Sequence, residues 1–514
     1  MGEHTAESLA ELFLPAVGPE GVKTSAADIK EFSDPYTSKE APGERPIIIV
    51  QPETVEEVQA VVRIAGEHGI YLSANSTGRN YGYGGGAPVV DQTVVVNLRR
   101  MNKVIEINEK AAYAEVEPGV SFFDLYNAIQ DGGYKLSMSV PDLGWGSVTG
   151  NALEHGMGYS VYGDHASAIC GMEVVLADGT LVRTGLGAIP DSEMWHRHKR
   201  GFGPSVDSLF MQSNFGIVTK VGVWLMPQPE SVTTGSVICD NDENIATVLD
   251  ALQPLVASGV IQGQPLMTCA PQPPEGERAT PETKTDGKSK LYKLSASLPP
   301  GRFNARIAFY GTPELNEVKE RQLRETVKDI EGVTVELRTY AGDAKAEDVH
   351  PLDLVPMGIP NMFLLDVLKA HFGESFGHID FSPVMPFDGK PAAEFEAYAQ
   401  KVLREEDLVA AFGWIGSPRS IAAVNMVFFD TNDADERARA VRAVKKMGQY
   451  AVERGWSEYR AHPHIIDEVV SSYTFNDGAL HNLYTTLKDA LDPKGILAPG
   501  SHGIWGTSQK HLHA

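Results

Sequence analysis

The stretch Ser76-Thr-Gly-Arg-Asn-Tyr-Gly-Tyr-Gly-Gly-Gly-Ala-Pro88 carries five glycines in thirteen residues. Without Cβ atoms, such a backbone can approach a ligand closely and aim its N–H groups at phosphate oxygens. Ser76, Thr77 and Asn80 add short polar side chains. The spacing matches neither common phosphate-loop signature, and a flexible glycine turn has the same composition, so the neighbourhood must decide. About 60 residues on, Val140-Pro-Asp-Leu-Gly-Trp-Gly-Ser-Val-Thr-Gly-Asn-Ala-Leu-Glu-His-Gly-Met-Gly-Tyr159 sets glycines among apolar residues, and Tyr162-Gly-Asp-His165 follows. That pattern suits backbone lying against a flat ligand. Two such segments, each after a β-like stretch, point to a large dinucleotide-type cofactor.

Around these segments short helices alternate with β-rich stretches. Thr54-Val-Glu-Glu57 reads as a capping box, and Val55, Val58, Val62 and Ala65 then recur on one helical face until Gly69. Strands are expected at Ile70–Ser73 and, from its β-branched run, Thr93–Leu98; a helix starts after Ser121 with Phe122, Leu125 and Ile129 on its apolar side. Met172–Arg183 reads as a hairpin about Asp178-Gly179, which supplies the positive φ angles a two-residue turn demands. Ile217–Leu225 is a further strand, closed by Met226-Pro-Gln-Pro229, where a domain boundary is expected. The Pro-, Thr-, Glu- and Lys-rich stretch 271–290 reads as an exposed loop of the second domain. Helix-and-strand pattern then runs to about Arg454, and 456–514, punctuated by Pro493-Lys-Gly and Pro499-Gly, should pack back onto structure already built.

The length of 514 residues exceeds what one hydrophobic core sustains, so two or more domains are expected. A formal charge of −24 repels polyanions, which argues against nucleic acid and anionic membrane as partners. Three cysteines, Cys170, Cys239 and Cys269, argue against a disulfide framework and for a reducing compartment. With neither a signal-peptide pattern nor an apolar run of spanning length, the cytoplasm is the expected location. His196-Arg-His198 and His462-Pro-His464 each place two imidazoles together, but no third ligand motif accompanies them and no metal is expected.

These residues resemble the FAD-binding oxidases and dehydrogenases of the vanillyl-alcohol oxidase and p-cresol methylhydroxylase family, with eugenol oxidase and related alkylphenol oxidases most similar in detail. The resemblance runs through Gly78-Arg-Asn80 with Gly82-Tyr-Gly-Gly85, Pro141-Asp-Leu-Gly144, Gly150-Asn151 and Tyr162-Gly-Asp-His165. It continues through Phe202-Gly-Pro204, Gln212-Ser-Asn214, Gly216-Ile-Val-Thr-Lys220, Gly377-His378 with Phe381-Ser-Pro383, and Gly455-Trp456 with Glu458-Tyr-Arg460. It implies an α+β fold: a two-part FAD-binding domain of the p-cresol methylhydroxylase type, residues 1–228 and 456–514, and an α+β cap over 229–455.

The resemblance also assigns roles. His378 stands where the oxidases carry the histidine bonded covalently to the flavin. Tyr83, Tyr459 and Arg460 match the trio that binds the substrate as a phenolate, and hydride loss from the para carbon needs that anion stabilised. Asp142 matches the carboxylate near flavin N5. FAD contacts are expected from Ser76, Thr77, Gly78, Arg79, Asn80 and Gly84; from Pro141, Asp142, Leu143, Gly146, Ser147, Gly150, Asn151, Glu154, Gly158, Tyr159, Gly163, Asp164 and His165; and from Gly216, Ile217, Val218 and Arg460. Ser382, Gly413 and Ile415 fall where relatives line the pocket, with Trp414 either narrowing it or lying in the core. The expected reaction is oxidation of a para-substituted phenol through a p-quinone methide with dioxygen as acceptor, in a homodimer; the alternative is a dehydrogenase passing electrons to a cytochrome. Two departures stand out. Ala498-Pro-Gly500 is followed by Ser501 where several relatives have a basic residue, and the N-terminal segment shows no counterpart of the histidine that assists flavin attachment in vanillyl-alcohol oxidase.

Overall fold

A computed structural model describes residues 4–36, 45–270 and 301–512. The expected loop at 271–290 lies outside the described residues. Three main sheets build the molecule. The first has the order Val22–Lys23, Ile48–Val50, Val94–Asn97, Leu72–Asn75, and both pairings of Val94–Asn97 are parallel. The second is antiparallel: Val104–Asn108, Tyr113–Val116, Ile217–Trp224, Ile169–Val175, Leu181–Arg183. The third is a nine-stranded sheet drawn from residues 231–458, in which Phe376–Phe381 and Pro383–Pro386 both pair with the long strand Ser420–Asp430.

Local sequence explains the small elements. Thr54 caps the helix Val55–His68 by accepting from the Glu57 amide, as read; the Glu57 carboxylate instead takes the amide of Glu53, one residue earlier than a capping box requires. At Asp178-Gly179 only Gly179 adopts positive φ. Leu176 and Thr180 close a longer turn there, and Asp178 accepts from the Thr180 amide. The loop Ala177-Asp178-Gly179, with glycine at its left-handed last position, takes the place of the expected two-residue turn.

Packing sorts the third sheet by its two-residue period. Helices Ile245–Ala257, Gly389–Glu405 and Ala434–Val452 supply buried residues to one core with Met267, Phe412 and Trp414. Trp414, fully buried, is therefore core. On the opposite face, Thr268, Arg306, Gly413 and Ile415 turn toward a cavity.

The last segment is more helical than its turn signals suggest, with Phe475–Leu491 its longest element, yet it does pack back. The backbone of Leu72 bonds to Ile496 and Ala498, and the fully buried Lys488 ammonium donates to the carbonyls of Asn214 and Leu497 while facing Asp492 at 2.9 Å. Asp492 also accepts from the amides of Ile496 and Leu497. Replacing Lys488 by Met would leave that carboxylate buried without a cation, and a loss of about 3–5 kcal/mol in urea unfolding is expected; an unchanged midpoint would refute this account of how the C-terminal segment is held.

Candidate active site

The cavity of about 970 Å³ lies where the three sheets meet. Its walls include both glycine-rich segments, which approach so closely that a Cβ on Gly150 would sit 2.1 Å from Ser76 Oγ. Of the expected contacts, Ser76 through Asn80, Pro141 through Leu143, Gly146, Ser147, Gly150, Asn151, Glu154, Tyr159 and Gly216 through Val218 reach the wall, as do Tyr83, His378, Gly413, Ile415, Tyr459 and Arg460. Gly84, Gly158, Gly163, Asp164, His165 and Ser382 stand behind it. Gly84 gives way to the Pro463 ring, and Gly158 and Gly163 close a turn on each other. Asp164 caps the short helix His165–Ala168. His165, with a pKa lowered by burial to about 4, is a neutral ring joining Asn151 to Ser139.

Tyr83 comes from the first segment, and Tyr459 and Arg460 from the turn after the last strand of the large sheet. Their ring centroids lie 6.3 Å apart, and the Arg460 guanidinium sits 5.1 Å from one and 5.3 Å from the other. Arg460 is held by three hydrogen bonds, two to the Glu154 carbonyl and one at 3.0 Å to Asn80 Oδ1. The Tyr83 hydroxyl meets Ser382 Oγ at 2.6 Å. Burial pushes that hydroxyl well above the usual phenol range, so it stays a neutral donor beside a fixed cation.

Asp142 faces two partners: Arg306 at 3.3 Å and the Tyr159 hydroxyl, which donates to it. Burial, then the charge of Asp142, raises the Tyr159 hydroxyl well above its usual range. Arg306 also stacks 4.9 Å from the Tyr159 ring and keeps a buried Nε–H without a partner among the described residues.

Three residues escaped the sequence reading, and a fourth, Glu458, entered it only within a motif and with no role attached. Arg306, in the middle of Phe303–Gly311, gave no local signal. His502 stands one residue beyond Ser501 and pairs with Glu154 at 3.1 Å, so a group able to carry positive charge is present after Pro499-Gly500 after all. Burial alone would raise the Glu154 carboxyl, but His502 and Arg460 hold it down at about 2. Glu458 lines the cavity with one oxygen accepting from the Ser382 amide and the other unpartnered among the described residues, and burial raises its carboxyl well above the usual range. Asp380 meets His378 Nδ1 at 2.6 Å; Gly-His-Ile-Asp held that signal, since residues two apart on a strand share a face. The paired histidines have other partners: His196 meets the Cys170 carbonyl, His462 faces Asp34, and His464 meets Arg437. All three cysteines are buried free thiols.

Residues 46–185 match the family described as FAD binding domain, and residues 385–502 that described as FAD linked oxidases, C-terminal domain. The chain is 32% identical over 499 residues to the 4-cresol dehydrogenase (hydroxylating) flavoprotein subunit of Pseudomonas putida, covering 96% of this chain and 94% of that one. The structure of 4-ethylphenol oxidase from Gulosibacter chungangensis in complex with isoeugenol superposes with a TM-score of 0.89 at 32% identity, covering 98% of both chains. The chain belongs to the p-cresol methylhydroxylase/vanillyl-alcohol oxidase family. The structure of p-cresol methylhydroxylase with substrate bound gives a TM-score of 0.85 at 30% identity, over 97% of each chain. The family's α+β architecture is thus that of this FAD-linked oxidoreductase.

The wall fits FAD chemically. Glycine backbone with Ser76, Thr77 and Arg79 offers donors to a diphosphate at one end. Beside Arg79 the buried Trp145 N–H has no partner among the described residues; on the wall formed by the large sheet the buried Arg306 Nε–H likewise has none, and a Cβ on Gly413 would meet nothing closer than 3.5 Å, leaving that wall open to a flat ring. Among the described residues no helix is long and apolar enough to cross a membrane, and no cluster of three or more metal-binding side chains occurs.

Proposed function

We propose that this enzyme oxidises para-substituted phenols bearing an alkyl, allyl or hydroxymethyl group, with dioxygen as electron acceptor. The observation that carries the reading is the convergence of Tyr83, Tyr459 and a triply anchored Arg460 on one cavity that also holds Asp142 and His378. Two phenolic donors and a guanidinium form a site for a phenolate oxygen, and the anion pushes electrons toward the benzylic carbon as hydride leaves. Bound FAD supplies the hydride acceptor, N5. Asp142, held by Arg306 and Tyr159, is placed to take a proton from water adding to the resulting p-quinone methide, and an alcohol substrate goes directly to the aldehyde. Gly413 and Ile415 leave room for the ring and its side chain, while Ser382 orients Tyr83 from behind. Residues 1–228 and 456–514 form the FAD-binding part and 229–455 the cap, and His378 tethers the flavin. A homodimer is the proposed assembly.

Acid precipitation of the purified protein tests cofactor and tether together. Yellow colour in the pellet is the expected result; colour released to the supernatant would remove the tether and leave FAD binding intact. The match to 4-cresol dehydrogenase favours a second reading, in which electrons pass to a cytochrome or other acceptor. Hydrogen peroxide formed in step with aerobic turnover of 4-ethylphenol or eugenol supports the oxidase, and turnover only with an added dye supports the dehydrogenase.

A further inference from the structure

We propose that Asp380 is the positioning residue that prepares His378 for bonding to the flavin, an inference that rests on the tether proposed above. Both side chains leave the same face of the strand Phe376–Phe381, nearly buried, with Nδ1 and Oδ1 2.6 Å apart. A carboxylate only accepts, so Nδ1 carries the proton and Nε2 keeps its lone pair. Among the described residues Nε2 has no hydrogen-bond partner, and the histidine lines the cavity. The ring is also clamped. Tyr36 lies 4.8 Å away on one side, and Phe376 stacks at 5.6 Å with an interplanar angle of 25°.

The glycine-rich loop is shaped to admit this carboxylate. Gly82 takes φ +82°, its carbonyl accepts from the Asp380 amide at 3.0 Å, and a Cβ there would stand 2.5 Å from the carboxyl group. Any other residue at 82 would drive Asp380 from the imidazole. The loop thus serves both the diphosphate and the histidine.

The chemistry balances as follows. The N–C bond forms between Nε2 and the C8 methyl carbon of FAD, which gives up one proton; the imidazole gives up the other, its Nδ1 proton, toward Asp380. The two electrons released stay on the flavin until dioxygen takes them, with both protons, as hydrogen peroxide. Asp380 contributes by fixing the tautomer and by stabilising the positive charge that builds on the ring as the bond forms.

The test compares full-length wild type, Asp380→Asn and Asp380→Glu, measuring total FAD in the native protein and the share retained in the acid pellet. The Asn variant should keep FAD but show covalent flavin reduced about tenfold, because the amide keeps the shape without the charge, and the Glu variant should recover part of it. Equal covalent shares in wild type and Asn variant would overturn the proposal. A colourless wild-type pellet would instead overturn the tether beneath it. Should the Asn variant fail to fold, the wild-type flavopeptide still decides: linkage through Nε2 agrees with the geometry, and linkage through Nδ1 refutes it.

Discussion

Replacing Arg460 by Met is expected to lower kcat/KM for a 4-alkylphenol by about a thousandfold, ~4 kcal/mol of transition-state stabilisation. The size follows from preorganisation. The guanidinium is fixed before substrate arrives, by the Glu154 carbonyl and Asn80 Oδ1, and it lies just over 5 Å from both tyrosine rings. A cation so held needs no reorganisation when the phenolate forms, and the low dielectric of a buried site strengthens its field. Arg460→Lys retains the charge but not the planar fork, and should fall between wild type and Met. Steady-state kinetics at matched FAD content check this; a Met variant within a few-fold of wild type would remove Arg460 from phenolate binding.

The second large effect is expected at Asp142. Substitution by Asn should lower kcat about a hundredfold with a smaller change in KM, because in the proposed mechanism the carboxylate acts on the reacting centre rather than on substrate capture. Arg306 and the Tyr159 hydroxyl hold it in place, so the Asn variant also leaves a guanidinium facing a neutral amide. A carboxylate near flavin N5 would also act on the charge that develops during hydride transfer, and the rate of flavin bleaching after anaerobic mixing with 4-ethylphenol reads that effect. The ratio of alcohol to alkene should shift as well, since the proposed mechanism has Asp142 take the proton from adding water. A wild-type bleaching rate with an unchanged product ratio would make Asp142 structural.

Most of the secondary structure near the site was legible in the sequence because the signals are local. Thr54 caps its helix, and the Phe122, Leu125, Ile129 face is buried as its spacing requires. Where readings slipped, the cause lies in longer-range geometry. Glu57 reaches Glu53 rather than closing a box, because side-chain reach, not residue type, selects the amide. Gly158, Gly163, Asp164 and His165, expected as FAD contacts from the resemblance, shape the turn behind the wall, and that placement needs the path of the backbone.

The sequence by itself determined the family and its FAD-linked fold, because ordered motifs are properties of the chain alone, and the resemblance those motifs carry is what assigned Tyr83, Tyr459 and Arg460 their proposed role. It also held Asp380 in plain view, two residues from His378 on one strand. Only the tertiary structure decided which groups act together. Arg306 lies 164 positions from Asp142 and Glu154 lies 348 from His502, separations at which no periodicity speaks, and left-handed φ angles at Ala498, Gly500 and His502 carry that histidine to the cavity. Electrostatics depend on distance and on exclusion of water, and both arise only when three sheets close around one space.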